Sequence, residues 1–134
     1  MLVPLNTRFK GNEAAYILAK SGARLLFTVS DFLDTDYVDL LADVQGLDAL
    51  EETIALRGTA AAGTTAWEDF MARADQVSAE AAAERAAGID GEDTSDIRFT
   101  SGTTGHPKGA ILRHAAGIRA YDAWSTVVGL REGD

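Results

Sequence analysis

The segment "NEAAYILAKSGARLLFTV" at residues 12–29 decides the fold class, because it joins a helical pattern to a strand pattern. In its first half apolar side chains recur at helical spacing, with Asn12 as the predicted N-cap and Gly22 as the predicted end. Residues 24–29 form a continuous apolar run, typical of a strand buried on both faces of a parallel sheet. The segment therefore predicts a helix followed by a strand of an α/β sheet.

The same alternation continues on both sides of this segment. Residues 1–5 are an apolar stub that we interpret as the tail of a strand, and residues 53–56 predict another strand. Between the strands, Asp34 can cap a second helix. This alternating order predicts that the three strands pair in parallel and are joined by right-handed crossovers. In such sheets, ligand sites lie at the carboxyl ends of the strands.

The middle of the chain is less regular. Residues 57–65 predict a loop of small side chains, and Thr65 and Glu68 have the spacing of a capping box for a short helix at about residues 67–73. The alanine-rich residues 78–87 predict an exposed helix on propensity grounds. We expect Ser78 to cap that helix and Gly88 to end it.

The composition excludes several classes of function. The formal net charge of the 134 residues is −9, without a cluster of Lys and Arg, which disfavours binding to nucleic acid. Because the chain has no cysteine, it forms no disulfide, and we assign it to the reducing cytoplasm. No apolar run approaches the length of a membrane span, and the N-terminus lacks the pattern of a secretory signal.

The stretch "FTSGTTGHPKGAIL" at residues 99–112 predicts a phosphate-binding loop at residues 100–109, between two strand-like stubs. Glycine tolerates positive φ, so that Gly102, Gly105 and Gly109 allow successive amide groups to point into one concavity that attracts anions. The neighbouring Ser and Thr hydroxyls add donors, and Lys108 adds a mobile positive charge suited to a polyphosphate. Pro107 restrains the loop before the lysine.

Other known loop types fit these residues less well. A plain hairpin turn is disfavoured because simple hairpin loops have about 2–5 residues. The phosphate loop of nucleotide hydrolases requires a lysine directly after glycine, whereas Pro107 precedes Lys108 here. The dinucleotide fingerprint fails because Gly102 and Gly105 have the wrong spacing.

The stretch "TSGTTGHPKGAIL" resembles the phosphate loop of the adenylate-forming enzymes, which include acyl-CoA synthetases, firefly luciferases and the adenylation domains of peptide synthetases. Residues 3–29, "WEDFMARA" and the closing "GLREGD" are also similar to segments of that family in the same order. The acyl-CoA synthetase branch fits best. The resemblance implies an α/β fold made of parallel βαβ units from the large N-terminal adenylation domain, with residues 1–134 as an incomplete internal fragment of it.

The resemblance also implies the reaction that the family catalyses. Its members use ATP and Mg²⁺ to convert a carboxylic acid, such as a fatty acid, to an acyl-adenylate, and then transfer the acyl group to coenzyme A. By the resemblance, the β- and γ-phosphates would contact Thr100, Ser101, Gly102, Thr103, Thr104, Gly105 and Lys108. Lys108 would act as an electrostatic clamp. No metal ligand is implied in this chain, because the family's magnesium-binding glutamate follows the phosphate loop, and no catalytic residue is assigned.

Family members are several times longer, so we expect the chain alone to be inactive. We also expect it to self-associate through exposed sheet edges. The alternative is a nucleotide-binding or regulatory module that keeps the phosphate loop without catalysis.

Other polar and aromatic residues have simpler predicted roles. We expect His114 to mark a boundary between strand and helix and His106 to lie at the rim of the loop. The aromatic residues Trp67, Tyr121 and Trp124 are predicted to pack in the core. The acidic residues between 88 and 96 are interpreted as a solvated loop, since they lack the rigid geometry of a magnesium site.

Overall fold

The computed structural model describes residues 1–32, 34–58, 60–100, 105–131 and 133. The chain divides into two compact units, one made of Leu5–Ala82 and the other of Met1–Pro4 with Ala83–Asp134. In the described part of the chain, no helix combines the length and apolar character needed to cross a membrane.

The first unit contains a parallel sheet with helices between its strands. In chain order its elements are α1 (Gly11–Ser21), β1 (Leu25–Thr28), α2 (Asp39–Ala42), β2 (Glu52–Ala55), β3 (Thr65–Ala66), α3 (Trp67–Ala72) and a 3-10 helix at Arg73–Gln76. The strand order is β1-β2-β3, and both pairings are parallel. The α/β class and the parallel pairing of residues 24–29 with residues 53–56 are therefore confirmed.

The core of this unit is supplied by α1 and by the first two strands of the sheet. Ile17 of α1 and Ile54 of β2 are completely buried. The other buried apolar residues of the described chain are Ala15, Leu18, Leu26 and Ala55. The helical spacing and the apolar strands of the sequence thus identified the segments that supply the core.

The predicted caps were only partly right. Gly22 ends α1 with φ 64, as predicted, whereas the N-cap is Lys10 and not Asn12; the Glu13 carboxylate accepts the Lys10 N–H at 2.9 Å. Asp34 does not cap a helix, because it lies at φ 55 in a turn closed by hydrogen bonds between Phe32 and Thr35. The N-cap of α2 is Val38, and the Asp36 Oδ1 just before it accepts the N–H groups of residues 38 and 39.

The predicted capping box at Thr65 is also wrong. Thr65 belongs to β3, opposite Ile54, and its hydroxyl donates to Glu52 Oε1 at 2.5 Å instead of capping α3. The loop predicted over residues 57–65 therefore ends in a short strand. Trp67 is half-buried and outside the core predicted for it, and its ring stacks on that of Phe70 with the centroids 6.0 Å apart.

The second unit is an antiparallel hairpin followed by a helix. Its elements are β4 (Thr94–Thr100), β5 (Lys108–Arg113) and α5 (His114–Val128). Residues 1–5 do not join the first unit's sheet, because Leu2 bridges β4 in parallel: the Leu2 N–H donates to Ser95 O at 2.8 Å and Leu2 O accepts from Ile97 N at 2.9 Å. The strand predicted at residues 1–5 is reduced to this isolated bridge, and its predicted pairing with the strand at residues 24–29 is wrong.

Two helices of the chain are largely exposed. Helix α4 (Ala79–Ala87) leads from one unit to the other; the Ser78 hydroxyl accepts the Ala81 N–H at 3.1 Å, which confirms the predicted cap. In α5, Tyr121 is 66% and Trp124 is 57% exposed. The prediction that these two aromatic residues pack in a core is therefore wrong.

Candidate functional site

The β4–β5 hairpin frames the glycine- and hydroxyl-rich segment. Thr100 is the last residue of β4 and Lys108 the first of β5, and the two lie directly opposite each other. Of the predicted site residues, Thr100, Gly105 and Lys108 are described. The others lie outside the described residues, namely Ser101, Gly102, Thr103 and Thr104.

The two described glycines of the segment have different roles. Gly105 has φ 109, as predicted, so its backbone takes a conformation that other residues rarely adopt. Gly109 is a regular strand residue opposite Phe99, and the predicted positive φ at this position is wrong. A Cβ on Gly109 would lie 2.9 Å from Ile97 Cγ2 and 3.1 Å from Phe99 Cζ. Close packing across the hairpin therefore explains this glycine.

Lys108 is exposed and stands at the mouth of the hairpin, opposite the exposed Thr100. The ion pairs formed among the described residues join other side chains and do not involve the Lys108 ammonium. Its positive charge is thus not neutralised by a described carboxylate. An exposed ammonium beside a glycine with positive φ is an arrangement that can receive an external anion.

A hydrogen-bonded row of side chains lies on β4 before the segment. The Ser95 hydroxyl donates to Asp96 Oδ2 at 2.6 Å, and Arg98 Nε donates to Asp96 Oδ1 at 2.6 Å. These donors hold the pKa of the Asp96 carboxyl below its ordinary value, Ser95 being the larger cause and Arg98 the next. Sequence reasoning missed Arg98, although opposite charges two positions apart on a strand indicate an ion pair on one face.

The acidic loop before β4 uses its carboxylates within the loop. The Asp93 side chain accepts the Asp90 N–H, and the Asp90 side chain accepts the Glu92 N–H, both at 2.8 Å. Glu92 also forms an ion pair with Arg113. Nowhere among the described residues do three His, Asp or Glu side chains form a group that could hold a metal ion. The described side chains therefore do not fit a magnesium site.

His114 occupies the boundary predicted for it. It is the first residue of α5, directly after β5, and its N–H donates to Asp93 O at 3.2 Å. The next residue, Ala115, donates to Gly91 O at 2.8 Å. The acidic loop thus accepts two N–H groups at the start of α5, which fixes the helix beside the hairpin.

Comparison with known proteins places this geometry in a family. A family model described as AMP-binding enzyme matches residues 1–134. A 3-(7a-methyl-1,5-dioxo-octahydro-1H-inden-4-yl)propanoyl:CoA ligase from Mycobacterium tuberculosis is 40% identical over 92% of this chain and 24% of its own length. The long-chain-fatty-acid–CoA ligase FadD13 of the same species is 32% identical over 98% of this chain and 23% of its own length.

A solved structure supports the same relationship. The anthranilate CoA ligase AuaEII, determined in complex with anthranoyl-AMP, is 26% identical and matches with a TM-score of 0.71 over 92% of this chain and 22% of the ligase. The chain spans about a quarter of the length of the curated relatives it matches. The family match over the whole chain and the parallel α/β architecture agree, and the chain belongs to the AMP-binding enzyme family.

Proposed function

We propose that this chain supplies the triphosphate-binding hairpin of an ATP-dependent acyl-CoA ligase. In the proposed reaction a carboxylate attacks the α-phosphorus of ATP, so that an acyl-adenylate forms and pyrophosphate leaves. The thiol of coenzyme A then takes the acyl group and AMP leaves. The names of the relatives, which are CoA ligases, support this reaction class.

The observation that carries the proposal is the pairing of Thr100 with Lys108 across the ends of the hairpin. It holds one hydroxyl and one ammonium on either side of residues 101–107, and Gly105 supplies the positive φ that a concave backbone requires. The proposed contacts to the β- and γ-phosphates are made by Thr100, Ser101, Gly102, Thr103, Thr104, Gly105 and Lys108.

Lys108 acts in this proposal as an electrostatic clamp. Pyrophosphate gains negative charge as its bond to the α-phosphorus breaks, and a fixed ammonium next to the β- and γ-phosphates stabilises that charge. The side chain neither donates nor removes a proton in the step. Mg²⁺ would neutralise further phosphate charge when bound with ATP, but the described carboxylates do not fit a site for it.

The substrate is proposed to be a carboxylic acid of the fatty-acid class, and the compartment the cytoplasm. The second substrate of the intact ligase is coenzyme A. The alternative, a nucleotide-binding or regulatory module without catalysis, is not favoured, since the relatives that match nearly the whole chain are named as ligases.

Pyrophosphate exchange tests the proposal directly. In the full-length product of the gene that encodes this chain, radiolabelled pyrophosphate is expected to enter ATP only when a suitable fatty acid is present. Lys108→Met is expected to lower this exchange about 100-fold, the order of loss seen when one preorganised donor is removed from a transition state. Lys20→Met, at an exposed lysine of α1, is the matched control.

Two outcomes would contradict the proposal. ATP binding without acid-dependent exchange would favour the regulatory module. Wild-type exchange activity in Lys108→Met would show that Lys108 does not act as an electrostatic clamp.

A further inference from the structure

The two strands of the hairpin that carries Thr100 and Lys108 differ in length by one residue. Strand β4 has seven residues and β5 has six. At the base of the hairpin, where β4 begins and β5 ends, Thr94 lies opposite Arg113. At the mouth, Thr100 lies opposite Lys108. The residue of β4 left over is Ser95, because its two neighbours lie opposite consecutive positions of β5, which is the pattern of a β-bulge.

The bulge decides on which face of the hairpin Lys108 lies. Directly opposed residues of an antiparallel pair share a face, and a slip of one position moves a side chain to the other face. If β4 paired regularly from Thr94 onwards, Lys108 would lie opposite Phe99, and its ammonium and the Thr100 hydroxyl would be on different faces. With the bulge, Lys108 and Thr100 are opposed and share one face.

Contacts at the base of the hairpin fix the pairing there. The His114 N–H donates to Asp93 O at 3.2 Å, and the Ala115 N–H donates to Gly91 O at 2.8 Å. The start of α5 therefore holds the chain just before β4 and keeps the base in register. The extra residue is consequently taken up within β4, and its place along the strand determines which pairs follow it.

Hydrogen bonds hold Ser95 in the bulge from both sides. Its hydroxyl shares a proton between Asp96 Oδ2 at 2.6 Å and Leu112 O of β5 at 3.2 Å. On the other edge of β4, the Ser95 carbonyl oxygen accepts the Leu2 N–H at 2.8 Å. The side chain thus supplies a cross-strand hydrogen bond at the position where the bulge interrupts the ladder.

We propose that Ser95 is a positioning residue for ATP: its hydroxyl keeps the bulge near the base of the hairpin, so that the Lys108 ammonium and the Thr100 hydroxyl share the face that receives the triphosphate. This inference rests on the proposed function. Without the hydroxyl the bulge can move towards the mouth, and every pair that it passes changes register and face. Ser95 acts through the pairing of the strands, and contact between Ser95 and ATP is not required.

Two substitutions at Ser95 in the full-length protein test the inference. Ser95→Ala removes the hydroxyl, whereas Ser95→Thr keeps it. The matched control is Ser125→Ala in α5, which removes another serine hydroxyl that donates to a backbone oxygen, that of Asp122 at 2.9 Å. Circular dichroism and thermal unfolding verify that each variant is folded before kinetics are measured.

The expected result is a selective effect on ATP. In the exchange assay the KM for ATP rises about fivefold in Ser95→Ala, as the share of molecules with an aligned hairpin falls to about one fifth. The KM for the acid and the kcat at saturating ATP stay at their wild-type values, because bound ATP favours the aligned register. Ser95→Thr and Ser125→Ala match the wild type in all three constants.

Disulfide trapping measures the register independently of catalysis. Arg98 and Ala110 lie opposite each other, and opposed residues of an antiparallel pair are within reach of a disulfide. In a protein carrying Arg98→Cys and Ala110→Cys, oxidation is expected to link the two positions, and mass spectrometry identifies the joined peptides. Adding Ser95→Ala is expected to slow the linkage about fivefold, in proportion to the aligned share. Adding Ser125→Ala is expected to leave its rate unchanged.

Three outcomes would overturn the inference. These are a wild-type KM for ATP in Ser95→Ala, a raised KM in Ser95→Thr, and equal linkage rates with and without Ser95→Ala. If the wild-type protein catalyses no exchange, the proposed function fails instead, and the linkage rates alone then decide whether Ser95 sets the register of the hairpin.

Discussion

Glu52 of β2 and Arg73 of the 3-10 helix form a two-point ion pair, in which Arg73 Nη1 lies 2.8 Å from Oε2 and Nη2 lies 2.7 Å from Oε1 of Glu52. The Thr65 hydroxyl donates to the same carboxylate. The Glu52 side chain of β2 therefore binds both β3, through Thr65, and the 3-10 helix after α3, through Arg73.

This ion pair predicts a pH dependence of stability. The hydrogen bonds from Arg73, and next from Thr65, lower the pKa of Glu52 from 4.5 to about 2. A carboxyl whose pKa is lower in the folded state stabilises the fold above its unfolded pKa, and this contribution is lost as the pH falls from 4.5 to about 2. We expect the free energy of unfolding to fall less steeply over this range in Glu52→Gln than in the wild type.

Urea unfolding followed by tryptophan fluorescence at several pH values measures this difference. Glu84→Gln, at an exposed position of α4, serves as the control and should retain the wild-type slope. Identical slopes in all three proteins would show that Glu52 does not contribute in this way.

The close packing of α1 on α2 predicts that one methyl group added at Gly11 lowers the stability of the fold. A Cβ on the buried Gly11 would lie 2.0 Å from the Leu40 carbonyl oxygen, which belongs to the backbone and cannot rotate away. We expect Gly11→Ala to lower the free energy of unfolding by about 1–3 kcal/mol, the usual cost of overpacking. The measurement is the midpoint of urea unfolding.

Gly117→Ala is the contrasting control for Gly11→Ala. A Cβ on Gly117 of α5 meets no atom within 4 Å, so replacement by alanine should raise helix stability by up to about 1 kcal/mol. Equal effects of the two substitutions would contradict the packing argument.

The backbone of Gly105 predicts a specific loss of ATP affinity. At φ 109 an alanine is strained by about 1–3 kcal/mol, and the segment is expected to relieve this strain by changing shape. Gly105→Ala should therefore raise the KM for ATP in the exchange assay. Gly63→Ala, at another glycine with positive φ (82), should affect stability but leave that KM unchanged.

Exposed apolar side chains predict self-association of the 134-residue chain on its own. Val127 is 85% exposed and Trp124 is 57% exposed on α5, and β1 lies at an edge of its sheet. Such surfaces favour association. Light scattering after size exclusion should give a mass above that of a monomer, and Val127→Glu should lower it. Ala83→Glu on α4 should not; a compact wild-type monomer at all concentrations would contradict the prediction.

The elements predicted correctly from sequence are those whose local pattern agrees with their burial. The helical spacing around Ile17 and the apolar run containing Leu26 each describe a face that is buried in the fold. The failures concern residues whose side chains found partners distant in sequence. Thr65 has the spacing of a cap, yet its hydroxyl bonds to Glu52 on the neighbouring strand. Local propensity cannot anticipate such a partner.

The candidate site also contains features that local sequence predicts and features that it does not. The positive φ of Gly105 follows from local sequence alone. The role of Gly109 does not, because it depends on how the ring of Phe99 packs across the hairpin. Arg98 was missed although its partner Asp96 lies only two positions away on the same strand.

The bridge between Leu2 and β4 sets an order for events on the ribosome. Leu2 leaves the exit tunnel before its backbone partners, Ser95 and Ile97, which are synthesised more than ninety positions later. The parallel sheet of Leu5–Ala82 has all its strands much earlier and can assemble first. Leu2 must therefore remain without its partner strand until the hairpin emerges, and a substitution at Leu2 would disturb this late pairing and leave the early sheet intact.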